Sequence, residues 1–311
     1  MRQNFFKTEK ISEILPYDSL TSEDTAKEIQ DGKGRVSLSG NQPKFSAIAE
    51  DGRLRLVKNG EQGRYIIKPV PTSIHIQERN FLPYNEFLCM HIAREVYDIE
   101  TADCGICKWQ DGSPAYITKR FDVNPDGSKR SMEDFAALAG LTKANGGSDY
   151  KYCNLSYEDC AEIIRKYSAA SQVEILKFFR LIVFNFLICN DDAHLKNFSL
   201  LENSSKDFIL APAYDLVNTA IHLYQPRIFA LDKGLFKEGM KMSDVHTVDK
   251  SDFLEFGRRI GLPGRIVERE LKRFQAPSNL MEEMISDMIQ SESLRKYFCS
   301  CIYHRRVMLS E

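Results

Sequence analysis

The chain has 311 residues, of which 43% are hydrophobic and 28% charged, with a formal net charge of −2 at pH 7. That length exceeds the usual single-core range and predicts two lobes, while the mixed composition is that of an ordinary globular protein. The near-neutral balance excludes a strongly basic, non-specific nucleic-acid binder. The opening MRQNFFKTEK has a charged flank and no apolar core, so no secretory signal is expected. The most apolar stretch, Phe178 to Cys189, carries Arg180 and Asn185 and is too short for a bilayer. The expected setting is the cytosol, away from membranes.

In chain order, short runs rich in β-branched and aromatic residues come first: RVSLSG, KFSAIAE, RLRLVK after Asp51-Gly52, and RYIIKP. Separated by turn signals, they predict an antiparallel sheet. NEFLCMHIAREVYD, residues 85–98, interrupts it as a helix, with Phe87, Met90, His91 and Arg94 on one face and Leu88, Ile92 and Val96 adding apolar contacts. Cys104-Gly-Ile-Cys107 follows that helix and falls in a strand or turn. A lone CxxC there, with no matching second pair, reads as structural thiols; most of the eight cysteines are expected to be reduced core fillers. PAYITKRFDV predicts another strand, ending at the turn NPDGS. Beyond it, residues 131–140, 157–169 and 173–189 read as helices, 142–154 as a loop and 251–310 as several more helices. The expected fold is therefore α+β and two-lobed, a β-rich lobe over 1–125 and a helical lobe over 126–311, the layout of a protein kinase or a distant relative.

CNDDAHLKNFSLL, residues 189–201, crowds ionisable chemistry against the end of the apolar helix. In a kinase catalytic loop an aspartate at such a helix end accepts or orients the nucleophile's proton, and an asparagine after four intervening residues holds magnesium. Asp192 to Asn197 reproduces that spacing, which selects Asp192 over Asp191 as the base. Lys196 carries positive charge suited to a transition state rich in oxygen charge. A second magnesium ligand is expected in a turn after a short strand, and DFILAPAYDLVNT offers Phe208 to Leu210 and then Tyr214-Asp215. Taken singly each aspartate is an ordinary surface carboxylate; the helix, spacing and strand together are not.

These motifs, with SLSGNQPKFSAI and YIIKP upstream, resemble the HipA family of serine/threonine kinases, toxins of bacterial toxin–antitoxin modules. The likeness runs from about residue 34 to about 260. It implies a two-lobed kinase-like fold, ATP with Mg2+, and a protein substrate, the family's known targets being aminoacyl-tRNA synthetases. Only about 33 residues precede the serine loop, so the chain is similar to the compact HipT type, in which a separate small protein stands for the missing subdomain and acts as antitoxin. A small antitoxin of HipB or HipS type is the implied partner, with DNA reached only through it. The resemblance makes Asp192 the base, places His194, Lys196 and Asn197 beside the phosphates, sets Asn197 and Asp215 on magnesium with Tyr214 alongside, and matches Lys68 to the strand lysine that grips phosphates, Glu86 being its possible partner. TKRFD, with Lys119 and Phe121, resembles the hinge that holds adenine, mainly through backbone atoms.

The loop RVSLSGNQPK has one glycine and lacks the G-x-G-x-x-G pattern. Backbone amides around Ser39, Gly40, Asn41 and Gln42 can still cradle phosphates, with Lys44 adding charge. In the family, serines of this loop are phosphorylated by the kinase itself, and Ser37 and Ser39 occupy the matching places. A dianion there would repel ATP phosphates and push the loop out, making the kinase self-limiting. The plain alternative is that both are small turn residues. Two other functions share parts of this pattern: a small-molecule phosphotransferase of the aminoglycoside type, which HLKNFS and the serine loop argue against, and a non-catalytic antitoxin-binding or co-repressor module, which the presence of Lys68, Asp192, Asn197 and Asp215 argues against.

Overall fold

The computed structural model describes residues 5–19, 42–58, 60–224, 227–240 and 248–311. Ser37, Ser39, Gly40 and Asn41, and the run RVSLSG, lie outside the described residues. Strand β1 (Phe45–Glu50) turns through Asp51 (φ 49°) and Gly52 (φ 72°) into β2 (Arg53–Leu56). Two successive left-handed residues make the tight hairpin whose twist suits paired strands, and Glu50 sits opposite Arg53 as it demands. With β3 (Tyr65–Pro69), β4 (Cys104–Lys108) and β5 (Pro114–Lys119) these strands form an antiparallel sheet in the order β2-β1-β3-β5-β4. A short helix α1 (Phe5–Glu9) caps it and buries Phe6.

Helix α2 (Leu82–Tyr97) starts with a proline in its first turn and ends at Asp98, whose left-handed backbone (φ 52°) closes the last turn. It packs on β4 and β5. Successive side chains of a strand point to opposite faces, and Cys107 lies three positions after Cys104, an odd offset. Cys104 therefore joins the large core with α2 while Cys107 joins the small core on the other face. Burial pushes both thiols up to about 12, so the CxxC is two unrelated core fillers.

The 131–140 segment departs from its expected helix. Met132–Asp134 forms strand β6, pairing Met132 with Leu201, and only Phe135–Leu138 is helical (α3). The physical cause is Asp134, whose carboxylate accepts the Ala137 N–H at 2.9 Å and starts the helix there. The expected loop at 142–154 contains one helical turn, α4 (Lys143–Gly146). Strand β6 joins β7 (Ser199–Glu202) and β8 (Phe208–Leu210) in a second sheet, ordered β6-β7-β8.

Helix α5 (Tyr157–Tyr167) leads into α6 (Ser171–Leu187), which is apolar nearly all round and accordingly buried. Around it pack α5, α8 (Gly264–Gln275), α10 (Glu292–Ser310) and β8, with α7 (Lys250–Arg259) and α9 (Asn279–Met288) completing the expected helical end. No helix among the described residues is long and apolar enough to cross a membrane. Phe178 of α6 is fully buried against the rings of Phe135, Tyr157 and Phe198. Phe178→Ala should cost about 3–5 kcal/mol of stability, read as a lower urea midpoint; an unchanged midpoint would show that α6 is not the core of this fold.

Candidate active site

Lys68, on the inner strand β3, is 5% exposed. Its Nζ donates to Glu86 Oε1 of α2 at 2.6 Å and to Asp215 Oδ1. Burial alone would strip a proton from this ammonium, but the carboxylates of Asp215 and Glu86 outweigh it and keep Lys68 charged. Burial likewise works against an ionised Asp215, yet Lys44, 3.8 Å from Oδ2, and Lys68 hold its carboxyl well below the usual range. Glu86 is pushed up by burial, with Lys68 opposing. Asp215 sits in the left-handed region (φ 56°), a conformation aspartate tolerates better than most residues. Beside Glu86, Asn85 donates to the Asn218 carbonyl at 2.9 Å and accepts the Asn218 N–H at 3.1 Å, so α2 grips the Asp215 segment twice.

The loop after α6 supplies the opposite side. Asp192 Oδ1 accepts the Tyr152 hydroxyl at 2.6 Å, and the Asn197 amide donates to the Asp192 carbonyl at 3.0 Å, which leaves the amide oxygen of Asn197 as an acceptor. The two adjacent aspartates part company. Asp192 lines a small recess with Gln42, Lys44, Lys68, Glu86, Asn197 and Asp215, whereas Asp191 accepts the Arg227 N–H at 2.6 Å and its own N–H donates to Thr219 at 3.0 Å. Tyr214 bonds to Ser199 at 2.6 Å and stands 5.8 Å from the Phe121 ring.

The recess opens into a cleft of about 390 Å³ lined by Lys44, Lys68, Lys119, Phe121, Lys151, His194, Lys196, Asn197, Tyr214 and Asp215, among others. Of the sequence-predicted residues within the described part, Gln42, Lys44, Lys68, Lys119, Phe121, Asp192, His194, Lys196, Asn197, Tyr214 and Asp215 thus converge on one place. Two of them have their charge engaged elsewhere. Lys119 Nζ donates to Glu9 of α1 at 2.7 Å, and Lys196 Nζ to Asp134 at 2.6 Å on the cleft wall. Gln42 donates to the Pro69 carbonyl at 2.9 Å. Sequence reasoning missed Tyr152 and Lys151, which lie in the polar stretch read as a loop. Their only signal is an apolar-bodied Tyr-Lys-Tyr run inside it. Asp134, masked by the expected helix, was missed too.

The donor set fits a magnesium nucleotide. The cleft volume is that of a small-molecule site, and four lysines line it, Lys44, Lys68, Lys151 and Lys196, with Lys68 and Lys196 paired to carboxylates at its wall. His194 is 2% exposed, and neither ring nitrogen has a hydrogen-bond partner among the described residues. Burial drives its pKa down to about 3, so the neutral ring keeps one N–H to offer an anionic oxygen. An orphaned buried group of this kind costs roughly 1–3 kcal/mol until something satisfies it. Asn197 and Asp215 could supply two oxygen ligands, and no cluster of three or more histidine, cysteine or acidic residues able to hold a metal by itself occurs among the described residues. Magnesium takes one or two protein oxygens and completes its shell with phosphates and water.

Residues 36–291 match the family described as HipA-like C-terminal domain. A Haemophilus influenzae protein named "Putative kinase" is 28% identical over 83% of this chain and 76% of its own length. A Sinorhizobium fredii protein, "Putative kinase Y4dM", is 31% identical over 71% of this chain and 55% of its own. Among solved structures, the chain aligns with the Shewanella oneidensis HipA, solved with HipB and operator DNA, at a TM-score of 0.70 and 19% identity, covering 94% of this chain and 72% of that one. The Helicobacter pylori proinflammatory kinase CtkA aligns at 0.54 and 17% identity, covering 85% and 90%. These likenesses establish the two-lobed, kinase-like α+β fold.

Removing Lys68 leaves Glu86 buried without its counter-ion. Lys68→Met should therefore destabilise the chain by about 3–5 kcal/mol, and adding Glu86→Gln should recover part of the loss in urea unfolding; no recovery would mean the pair is not coupled. Burial also lowers His91 and His222 to about 4, alongside His194. Because these histidines stay neutral when folded and take protons when unfolded, stability should fall as pH drops from 6.5 toward 4, by up to roughly 1.4 kcal/mol per pH unit for each. A urea midpoint that holds constant between pH 7 and pH 5 would contradict their burial.

Proposed function

The chain belongs to the HipA-like C-terminal domain family, and from that premise we propose that it is a Mg-ATP-dependent protein serine/threonine kinase. The observation that carries this reading is one cleft in which the Lys68–Glu86–Asp215 ion cluster faces Asp192 and Asn197. Lys68 and Lys44 hold nucleotide phosphates, and His194 donates its one N–H to a phosphate oxygen. Asn197 and Asp215 hold magnesium, which neutralises charge on the phosphates. Asp192, oriented by the Tyr152 hydroxyl, takes the proton of the incoming serine or threonine hydroxyl. Phe121 and the backbone near Lys119 border the adenine, between lobes that divide near residue 125.

The target is a translation component such as an aminoacyl-tRNA synthetase, and the chain acts as the toxin of a module whose small antitoxin is of HipB or HipS type. Support for a partner comes from the Shewanella HipA, solved with HipB and operator DNA; DNA is reached through the antitoxin. Ser37 and Ser39 are the sites of self-phosphorylation, beside the phosphate-holding Ser39 to Gln42.

The test is phosphatase-treated chain incubated with Mg-ATP and weighed intact, beside Asp192→Ala. Phosphate should appear on the Ser37–Ser39 peptide of the unmutated chain, with Asp192→Ala slower by about 10²–10⁴-fold. Transfer to small amino-sugar acceptors with none to protein would instead make it a small-molecule phosphotransferase.

A further inference from the structure

Cys189 is the residue at the root of the Asp192 loop, and it is held in an uncommon way. Its backbone is left-handed (φ 56°). Its carbonyl accepts from the Thr219 N–H at 3.1 Å and from the Thr219 hydroxyl at 2.6 Å, and that hydroxyl oxygen accepts the Asp191 N–H at 3.0 Å. The position of Cys189 therefore bears directly on the loop that follows.

The sulfur faces the last helix. Arg305 donates Nε to Cys189 Sγ at 3.3 Å, its guanidinium seated over the Phe186 ring at 4.7 Å. Cys301 lies four residues earlier on α10 and so on the same face. The Cys189 thiol donates to the Cys301 carbonyl oxygen at 3.9 Å, which sets it against the turn of α10 that carries the Cys301 side chain. Cys189 is buried, while Cys301 is partly open. The neighbouring Cys301 side chain, with Arg305 behind it, lowers the Cys189 thiol, while Cys189 raises that of Cys301. Elsewhere burial pushes Cys89, Cys104, Cys107, Cys160 and Cys299 up. An arginine donating to a buried cysteine that has a second thiol beside it is the arrangement of a reactive sulfur, not of a core filler.

We propose that Cys189 and Cys301 form an oxidation site for hydrogen peroxide, closing a disulfide that ties the root of the Asp192 loop to α10. The Cys189 thiolate attacks one peroxide oxygen, the O–O bond breaks, and the other oxygen leaves as hydroxide and takes up the proton Cys189 released, departing as water. Sulfur has given two electrons to oxygen and stands as a sulfenic acid. Cys301 sulfur then attacks the Cys189 sulfur, the S–S bond forms, the S–O bond breaks, and the hydroxyl leaves as water with the Cys301 proton. The small size of peroxide suits a sulfur buried this deeply. The step does not depend on the kinase reading.

The experiment treats the reduced full chain with rising hydrogen peroxide and maps peptides by mass spectrometry without reductant. A linked pair of peptides carrying Cys189 and Cys301 should accumulate before Cys153 or Cys299 is oxidised, and should separate with dithiothreitol. Cys301→Ser should trap a dimedone-reactive sulfenic acid on Cys189, and Arg305→Gln should slow oxidation by roughly tenfold or more. Amide exchange over residues 189–197 should change when the bond closes. Oxidation of Cys153 or Cys299 first, or no Cys189–Cys301 link in the unmutated chain, overturns the site; a link that leaves exchange over 189–197 unaltered overturns its hold on the loop. Should either variant fail to fold, the peptide map of the unmutated chain decides.

Discussion

One buried ammonium holds the site together. Lys68 lies on β3, Glu86 on α2 and Asp215 in a left-handed turn after β8, and the three come within ion-pair distance, Lys68 and Glu86 buried and Asp215 at the edge of the cleft. Each charge alone would be costly there, since an unpaired buried ion loses several kcal/mol of solvation. Sheet, helix and turn are thereby constrained to one relative placement. Asn85 adds a second constraint one residue away, clamping both backbone groups of Asn218, and His222 closes the network at 2.8 Å from Asn85. Neutral His222 suits this place because burial disfavours a charged ring, and its Nδ1 is held by the Gln77 carbonyl at 2.8 Å.

The other half of the site depends on α6. The C-terminal half of this helix is buried all round and so a core element, and its end is fixed in space by the packing around Phe178, Phe179 and Phe186. The loop that leaves it is knitted by its own polar side chains: Asn190 to Asn185 at 2.7 Å, Asn190 to the Asp215 carbonyl at 3.3 Å, Asn197 to Asp192. These bonds join the loop to the Asp215 turn, so Asp192 and the acidic turn share one scaffold. Polar groups crowd the end of an apolar helix because they satisfy one another while leaving Asp192 and His194 facing the cleft.

Much of this was legible in the linear pattern. Strands β1, β2, β3 and β5 follow from β-branched alternation broken by Asp-Gly and Pro-containing turns, and α2 and α6 from apolar periodicity. Asp192, Asn197 and Asp215 stand out because spacing along a loop is itself a sequence property. Tyr152 and Lys151 were not legible: no local rule marks a loop residue that bonds to a carboxylate 40 positions away. The helix expected at 131–140 fails for a related reason. Its composition suits a helix, but pairing with β7 rewards an extended Met132–Asp134, and the Asp134 cap then places the helix start later than periodicity alone would.

The amino-acid order by itself determined the class of fold, the long helices and the loop spacing that sets Asp192 and Asn197 apart, because each arises from interactions between near neighbours. Only the tertiary structure decided which charges meet. The approach of Asp215 to the Lys68–Glu86 pair, the Arg227 bond that engages Asp191 and the Tyr152 bond that engages Asp192, and the approach of Cys189 to Cys301 and Arg305 all join residues distant in the chain. Such contacts are selected by burial, where an ion or thiol must find a partner among whatever the packing brings near, and no local pattern records that choice.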